Sequence, residues 1–225
     1  MGETQGCEYM NDCRTVQVMA CCEYFTTGMR HLFSDDNITI HFIKHIEDVV
    51  ITDDAPLVIL LVLDLSGTEA LSNFKTAVDF LNQINGRKRI GVLVSRYNAY
   101  LTWYISRKFR GHVTFFNSHN LQSGLFRRNF LSWLDGKTWR PMRVVARYRD
   151  NRYGFSLKEW VSLVIPLSGE TVQEMSACMG ISEQTLYQIR QNALKKIGIN
   201  SWRKFCDLYL SGQIKTENDT IIRRY

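Results

Sequence analysis

Residues 57–63 read LVILLVL, apolar at every position and built only from Leu, Val and Ile. A strand with one wet face alternates apolar and polar side chains, whereas a strand covered on both faces has no polar side to show. Such a segment needs helices above and below it, and crossover connections to bring parallel neighbours beside it. The flanking sequence supplies both. Residues 15–22 (TVQVMACC) form a short apolar run, 38–43 (ITIHFI) alternate, 89–94 (RIGVLV) read as a second buried strand, and 112–116 as another. Between and after them, residues 24–32, 68–84, 97–109 and 121–134 carry helical spacing. Strands alternating with helices through short links predict a parallel α/β sheet with flanking helices and right-handed crossovers over residues 15–136, after a tail of residues 1–14.

The second half has a different composition. Residues 1–136 hold 13 Lys/Arg against 14 Asp/Glu, while residues 137–225 hold 15 against 8. An excess of this kind, concentrated in one part, points to a polyanionic partner for that part. A solvated basic surface would look the same by charge alone. No apolar run reaches the roughly 18 residues of a membrane span, and residues 1–14 lack the basic-then-apolar order of a signal peptide. A cytoplasmic protein with no membrane partner is the expectation. The six cysteines, Cys7, Cys13, Cys21, Cys22, Cys178 and Cys206, then read as free thiols. The first four have a spacing that fits no common zinc or iron–sulfur pattern, so neither metal nor cofactor is expected. A thiol or metal sensor built on those four is the reading they leave open.

Residues 137–154 (KTWRPMRVVARYRDNRYG) carry six cations and no apolar period, and read as a basic linker. From Ser156 the pattern is helical throughout, giving an all-α unit of four helices over residues 155–212 and a tail of residues 213–225. Ser156 and Glu159 make a capping box, as do Thr171 and Glu174. Pro166 should stop the first helix, and Gly180 should end the second. Ser182 caps the third. Two helices joined by a turn containing Gly make a helix-turn-helix.

On the third helix Leu186, Ile189, Ala193 and Ile197 form one stripe at spacings of three and four, able to pack on Val172, Met175 and Met179. Gln184, Tyr187, Gln188, Gln191 and Lys195 form the opposite row. Glutamine can bond a base edge in the major groove. Ser182, Thr185, Arg190, Lys195, Lys196 and Arg203 suit phosphates, and the helix N-terminus adds free N–H groups. The bland alternative for this face is a solvated helix exterior.

Residues 155–212, through the segments SLKEW, SGETVQEMSACMGISEQTLYQIRQNALKKIGIN and SWRKF, resemble the LuxR/FixJ-type (GerE-like) DNA-binding domain. The resemblance implies double-stranded DNA as partner, a third helix that reads bases through Tyr187, Gln188 and Gln191, and backbone contacts near Gln184, Thr185 and Lys195. It also implies a fourth helix that helps to form a homodimer, or a heterodimer with another regulator of LuxR/receiver type. Pro166 in the first helix, and Tyr187 and Gln191 where lysines are frequent, depart from the family pattern.

In order and spacing, residues 15–136 resemble a receiver domain. Asp64, in LVLDLSG, matches the phosphoryl acceptor and Ser95 the switch hydroxyl. The acidic pair that should hold Mg²⁺ is replaced by Ala20, Cys21 and Cys22, with Glu23 nearby, and Phe115 stands where the lysine should be. The resemblance therefore implies a degenerate receiver with Asp64 as a vestigial acceptor. It is close to the atypical, phosphorylation-independent auxiliary regulators of enteric bacteria (the RcsA and BglJ types). The expected function is transcription regulation without enzymatic activity. Two alternatives are a switch gated by phosphorylation of Asp64 and an adaptor that acts only by pairing with another regulator.

Overall fold

The computed structural model describes residues 14–20, 22–52, 56–63, 68–84, 88–110, 112–217 and 220–223. Asp64, Cys7, Cys13 and Cys21 lie outside them. The first part runs β1 (Arg14–Met19), α1 (Glu23–Leu32), β2 (Ile38–Ile43), β3 (Leu57–Val62), α2 (Thr68–Gln83), β4 (Lys88–Val94), α3 (Ala99–Lys108), β5 (Val113–Asn117) and α4 (Leu125–Leu134). All five strands are parallel in the order β2-β1-β3-β4-β5, the flavodoxin-like doubly wound order.

The opening heptapeptide occupies the centre of the sheet and divides its side chains by the two-residue period of a strand. Leu57, Ile59 and Leu61 belong to the core made with Phe74, Ala77, Val78 and Leu81 of α2 and Leu101 and Ile105 of α3. Leu60, with half-buried Val58 and Val62, belongs to the opposite core, with Met29 of α1 and Phe126, Phe130 and Trp133 of α4. Gly91 of β4 is there for room. A Cβ would lie 3.0 Å from Phe116, 3.1 Å from Leu60 and 3.2 Å from Trp133. Among the described residues, the link from β2 to β3 holds a single 3₁₀ turn, Ile46–Asp48, in place of a helix.

The second part contains α5 (Leu157–Val164), α6 (Val172–Met179), α7 (Glu183–Lys196) and α8 (Trp202–Leu210). Both capping boxes form: Ser156 Oγ accepts from the Glu159 N–H, and Thr171 Oγ1 from that of Glu174. Pro166 lies in a 3₁₀ turn, Ile165–Ser168, directly after α5.

Residues 213–225 had been expected as a tail and all structure after Ser156 as helical. Instead β6 (Ile214–Glu217) and β7 (Thr220–Arg223) pair antiparallel. Ile214, Thr216 and Ile221 turn inward by strand alternation. The ribbon is anchored by Tyr153 Oη donating to Ile221 O at 3.0 Å and Arg223 to Ile197 O at 2.7 Å. The apolar residues are too few for the period to stand out in the sequence.

The basic linker is also tied down. Trp139 stacks on Phe116 with centroids 5.0 Å apart, and Met142 N–H donates to Phe115 O along the edge of β5. From Arg149 the chain is part of the helical unit. Buried Asp150 accepts from the N–H groups of Arg152, Tyr153 and Phe155 and from Trp160 Nε1–H.

The two parts meet along α3. Tyr100 of α3 stacks on Trp160 of α5 at 5.6 Å, and Tyr104 and Trp103 are buried beside them. Tyr97, expected on this helix, lies in the turn before it and is exposed. Lys108 of α3 pairs with buried Glu170 at 2.9 Å. Lys75 of α2 bridges Asp79 at 2.7 Å and Glu174 of α6 at 2.8 Å. Burial pushes the Glu174 carboxyl up, but Lys75 and the Thr171 cap outweigh it and bring it to about 2. Glu170 goes the other way, because burial outweighs Lys108.

A raised carboxylate keeps its proton in the folded state where the unfolded chain has lost it. Its contribution therefore favours folding at low pH and is lost as pH rises through the folded value. Lys108→Met removes the attraction that holds Glu170 down. The variant should lose little stability near the ordinary carboxylate value of 4.5 and about 3–5 kcal/mol at pH 8, where an unpaired charge would be buried. Urea denaturation across that range measures it; an equal loss at both ends would remove Glu170 from the explanation.

Candidate nucleic-acid interface

The helix-turn-helix is set by backbone chemistry before side chains meet any partner. Gly180 closes α6 with φ +63° and ψ +43°, a left-handed conformation that glycine adopts without a Cβ penalty. Its N–H donates to Ala177 O, and that of Ile181 to Ser176 O at 3.1 Å. Two residues later Ser182 caps α7: its Oγ accepts from Thr185 N–H at 3.1 Å and lies 2.8 Å from Thr185 Oγ1. Glycine and serine thus fix the angle at which α7 leaves α6.

α7 is held from behind. Leu186, Ala193, Leu194 and Ile197 share a core with Trp160, Val161 and Val164 of α5 and with Met175 and Met179 of α6. The expected stripe is nearly right, but Ile189 is only half-buried, and Arg190 and Leu194 take inward positions.

Arg190 is a correction. Read as a phosphate ligand, it is 4 % exposed. Its Nε donates to Ser162 O of α5 at 3.0 Å, and its guanidinium lies 4.4 Å from the Trp202 ring centroid of α8 and 5.8 Å from that of Tyr187. Burial lowers its pKa from the ordinary arginine value. Helical period allows this, since position 190 follows Leu186 by four and precedes Ala193 and Leu194 by three and four. A long arginine can bury its stem and stack its flat head, so residue type alone misleads here.

Lys196 differs from the expectation too. Its Nζ is 2.7 Å from Glu159 and 3.1 Å from Gly154 O, so its charge is already neutralised inside the unit. Burial pushes Glu159 up, but Lys196 and the Ser156 cap outweigh it and leave it low.

The remaining residues stand on the outer side. Ser182, Gln184, Thr185, Gln188, Gln191 and Lys195 are all exposed, and Tyr187 is 51 % exposed. Arg203, in the first turn of α8 after the Ser201 cap, is exposed as well. The row keeps this exposure with the helical unit packed on α3, so docking does not cover it. It offers amide groups that donate and accept at once, one phenol and one free ammonium. Asp150 was missed, although Asp-Asn-Arg-Tyr-Gly carries the signal of an aspartate that caps a turn.

At the carboxyl end of the sheet, Ser95 Oγ lies 3.3 Å from His119 Nε2, and Tyr97 stacks edge-on to His119. Ala20 is buried, Cys22 exposed, and Glu23 opens α1. Phe115 is a buried side chain within β5. Cys178 and Cys206, read as free thiols, are partly buried; burial pushes the Cys178 thiol up to about 11 and raises that of Cys206. Among the described residues, no group of three or more His, Cys, Asp or Glu is placed to hold a metal, and no helix is long and apolar enough to cross a membrane.

The arrangement is a doubly wound parallel α/β unit carrying a helix-turn-helix unit. No protein-family model and no curated protein matches the chain. Solved structures similar to it include two RcsB dimers bound to two parallel DNAs, at 16 % identity and TM-score 0.44 over 88 % of this chain and 98 % of that one. Others are the Salmonella typhimurium RcsB response regulator, at 16 % and 0.41 over 88 % and 97 %, and the response regulator ChrA of a heme-sensing two-component system, at 17 % and 0.40 over 88 % and 96 %.

If Arg190 is a packing group, Arg190→Ala should cost about 1–3 kcal/mol of unfolding free energy, with Arg190→Lys recovering only part of it. Urea denaturation of both variants measures this, and unchanged stability would return Arg190 to the surface.

Proposed function

We propose that the protein is a transcription regulator that reads duplex DNA in the major groove through α7. The observation that carries this reading is the open row Gln184, Tyr187, Gln188, Gln191 and Lys195 on a capped helix whose other side is fully packed. A glutamine amide can make the paired bonds that identify adenine, and the Tyr187 ring and hydroxyl suit a base edge. Ser182, Thr185, Lys195 and Arg203 serve the phosphates. Arg190 and Lys196 drop out of that set. The helix-turn-helix unit is the DNA-binding part, and residues 15–136 are a receiver-like scaffold.

The unit works as a pair, with a second copy or with another regulator of the same build. Leu210, 73 % exposed, gives α8 an apolar edge for such a partner. Paired half-sites about one helical turn apart are expected.

Regulation runs without phosphorylation. Phosphoryl transfer to an aspartate needs carboxylates for Mg²⁺ and a cation for the developing charge. Ala20, Cys21 and Cys22 offer no carboxylate, and the sequence has no lysine between Lys108 and Lys137. Incubation with acetyl phosphate and Mg²⁺ should leave the intact mass unchanged and the DNA affinity the same. A phosphate adduct lost in Asp64→Ala would establish the gated alternative.

Selection from random duplexes, followed by mobility shifts across a salt series, tests the DNA reading. Gln188→Ala with Gln191→Ala should reduce the preference for the selected site over random DNA by about 1–3 kcal/mol per lost amide contact. Lys195→Ala should weaken binding to every sequence and reduce the salt slope by about 0.9. Lys196→Ala, whose charge is already paired, should change the slope far less. Variants that all bind as the parent does would rule out α7 as the reader.

A further inference from the structure

A cleft of about 550 Å³ opens at the junction of the two parts, between α3, residues 146–149 and the start of α5. Its walls include Trp103 and Leu157, both buried core side chains, and its lining also includes Ala146, Arg147, Arg149 and Lys158. The recess is broad and open to solvent, and small-molecule sites favour the seams between structural units. The lining combines the Trp103 indole, the Tyr148 phenol and Leu157 with the Ser156 hydroxyl and three cations.

The cations are the informative part. Along this seam Lys75 is matched with Asp79 and Glu174 and Lys108 with Glu170, and inside the helical unit Lys196 is matched with Glu159. Arg147, Arg149 and Lys158 have no ion-pair partner among the described residues, and Arg149 reaches only Gly154 O, at 3.4 Å. Arg107, 4.5 Å from the Trp103 ring centroid, adds a fourth positive charge beside the indole. Like charges gathered around an apolar recess repel one another, and a bound anion relieves that repulsion. Guanidinium groups bind carboxylate, sulfonate or phosphate oxygens in pairs, and the Trp103 side suits a flat apolar body.

We propose that this cleft binds a small aromatic anion, which lies against Trp103 with its charged group among Arg147, Arg149 and Lys158. Because α3, the linker and α5 all contribute walls, an occupant ties together the elements that position the helix-turn-helix. The site is independent of the α7 reading face, and its test does not rely on DNA binding.

The probe is 8-anilinonaphthalene-1-sulfonate, titrated into the full-length protein and followed by its own fluorescence and by tryptophan quenching. Two variants separate shape from charge. Ala146→Trp fills the cleft from an exposed position and leaves every cation in place. Arg147→Ala with Lys158→Ala removes charge from side chains without ion-pair partners, so near-UV circular dichroism and the melting temperature should stay at parent values. The parent should show a saturable site. Ala146→Trp should lose it, and the double variant should bind about tenfold more weakly, as the loss of charge-assisted bonds predicts. Sodium sulfate at equal ionic strength should compete poorly.

Equal binding in all three proteins would overturn the proposal. Full displacement by sulfate would overturn the aromatic part and leave a simple anion site. Unchanged dye binding, with duplex affinity falling in the double variant, would also overturn it and assign these cations to DNA phosphates.

Discussion

The Trp160 indole is the interaction on which the rest of the structure depends. It is fully buried, donates its N–H to Asp150, stacks on Tyr100 and meets Phe155 edge-on. One side chain therefore joins the turn that begins the helical unit, the first helix of that unit, and α3 of the sheet unit. A buried indole N–H without an acceptor would be costly. A buried carboxylate without donors would be costlier still. Asp150 and Trp160 resolve each other's problem, and the backbone N–H groups of the turn complete the count. Everything that α7 presents outward is placed by this arrangement, because α5 supports α7 from behind.

The seam beside it is polar as well as aromatic. Two lysines of the sheet unit reach carboxylates at or near the start of α6, and the two acids respond in opposite directions. Glu174 is partly exposed and receives a cap hydrogen bond as well as Lys75. Its charge is therefore favoured. Glu170 is enclosed, and one lysine does not fully offset its lost hydration. A buried ion pair of this kind gives register more than stability. It selects one docking of the helical unit on α2 and α3, and in that docking the α7 row remains open. A helix-turn-helix docked with its reading face inward would have to be released before it could bind. The α7 row here is already open in the docked arrangement.

Much of this was legible in the sequence, for identifiable reasons. The run LVILLVL determined a doubly covered parallel strand, because no polar side chain in it could face water. Ser156 with Glu159, Thr171 with Glu174, Gly180 and Ser182 determined where three helices begin and where the turn falls, because caps and left-handed positions are local chemistry. The exposed row on α7 followed from helical period. Other features were decided only by the tertiary structure. Arg190 is buried because Ser162 O and the Trp202 ring, distant in sequence, offer a guanidinium a place to bond and stack. Lys196 is neutralised because folding brings Glu159 beside it. The C-terminal ribbon forms because Tyr153 and Ile197 supply anchors for chain ends too short to pair alone. Tyr100 and Trp103 are interior because α5 covers them. Local signals fix elements and their faces, since those depend on neighbours a few residues away. Which charge is paired, and which face is covered, depends on residues brought together only by the fold.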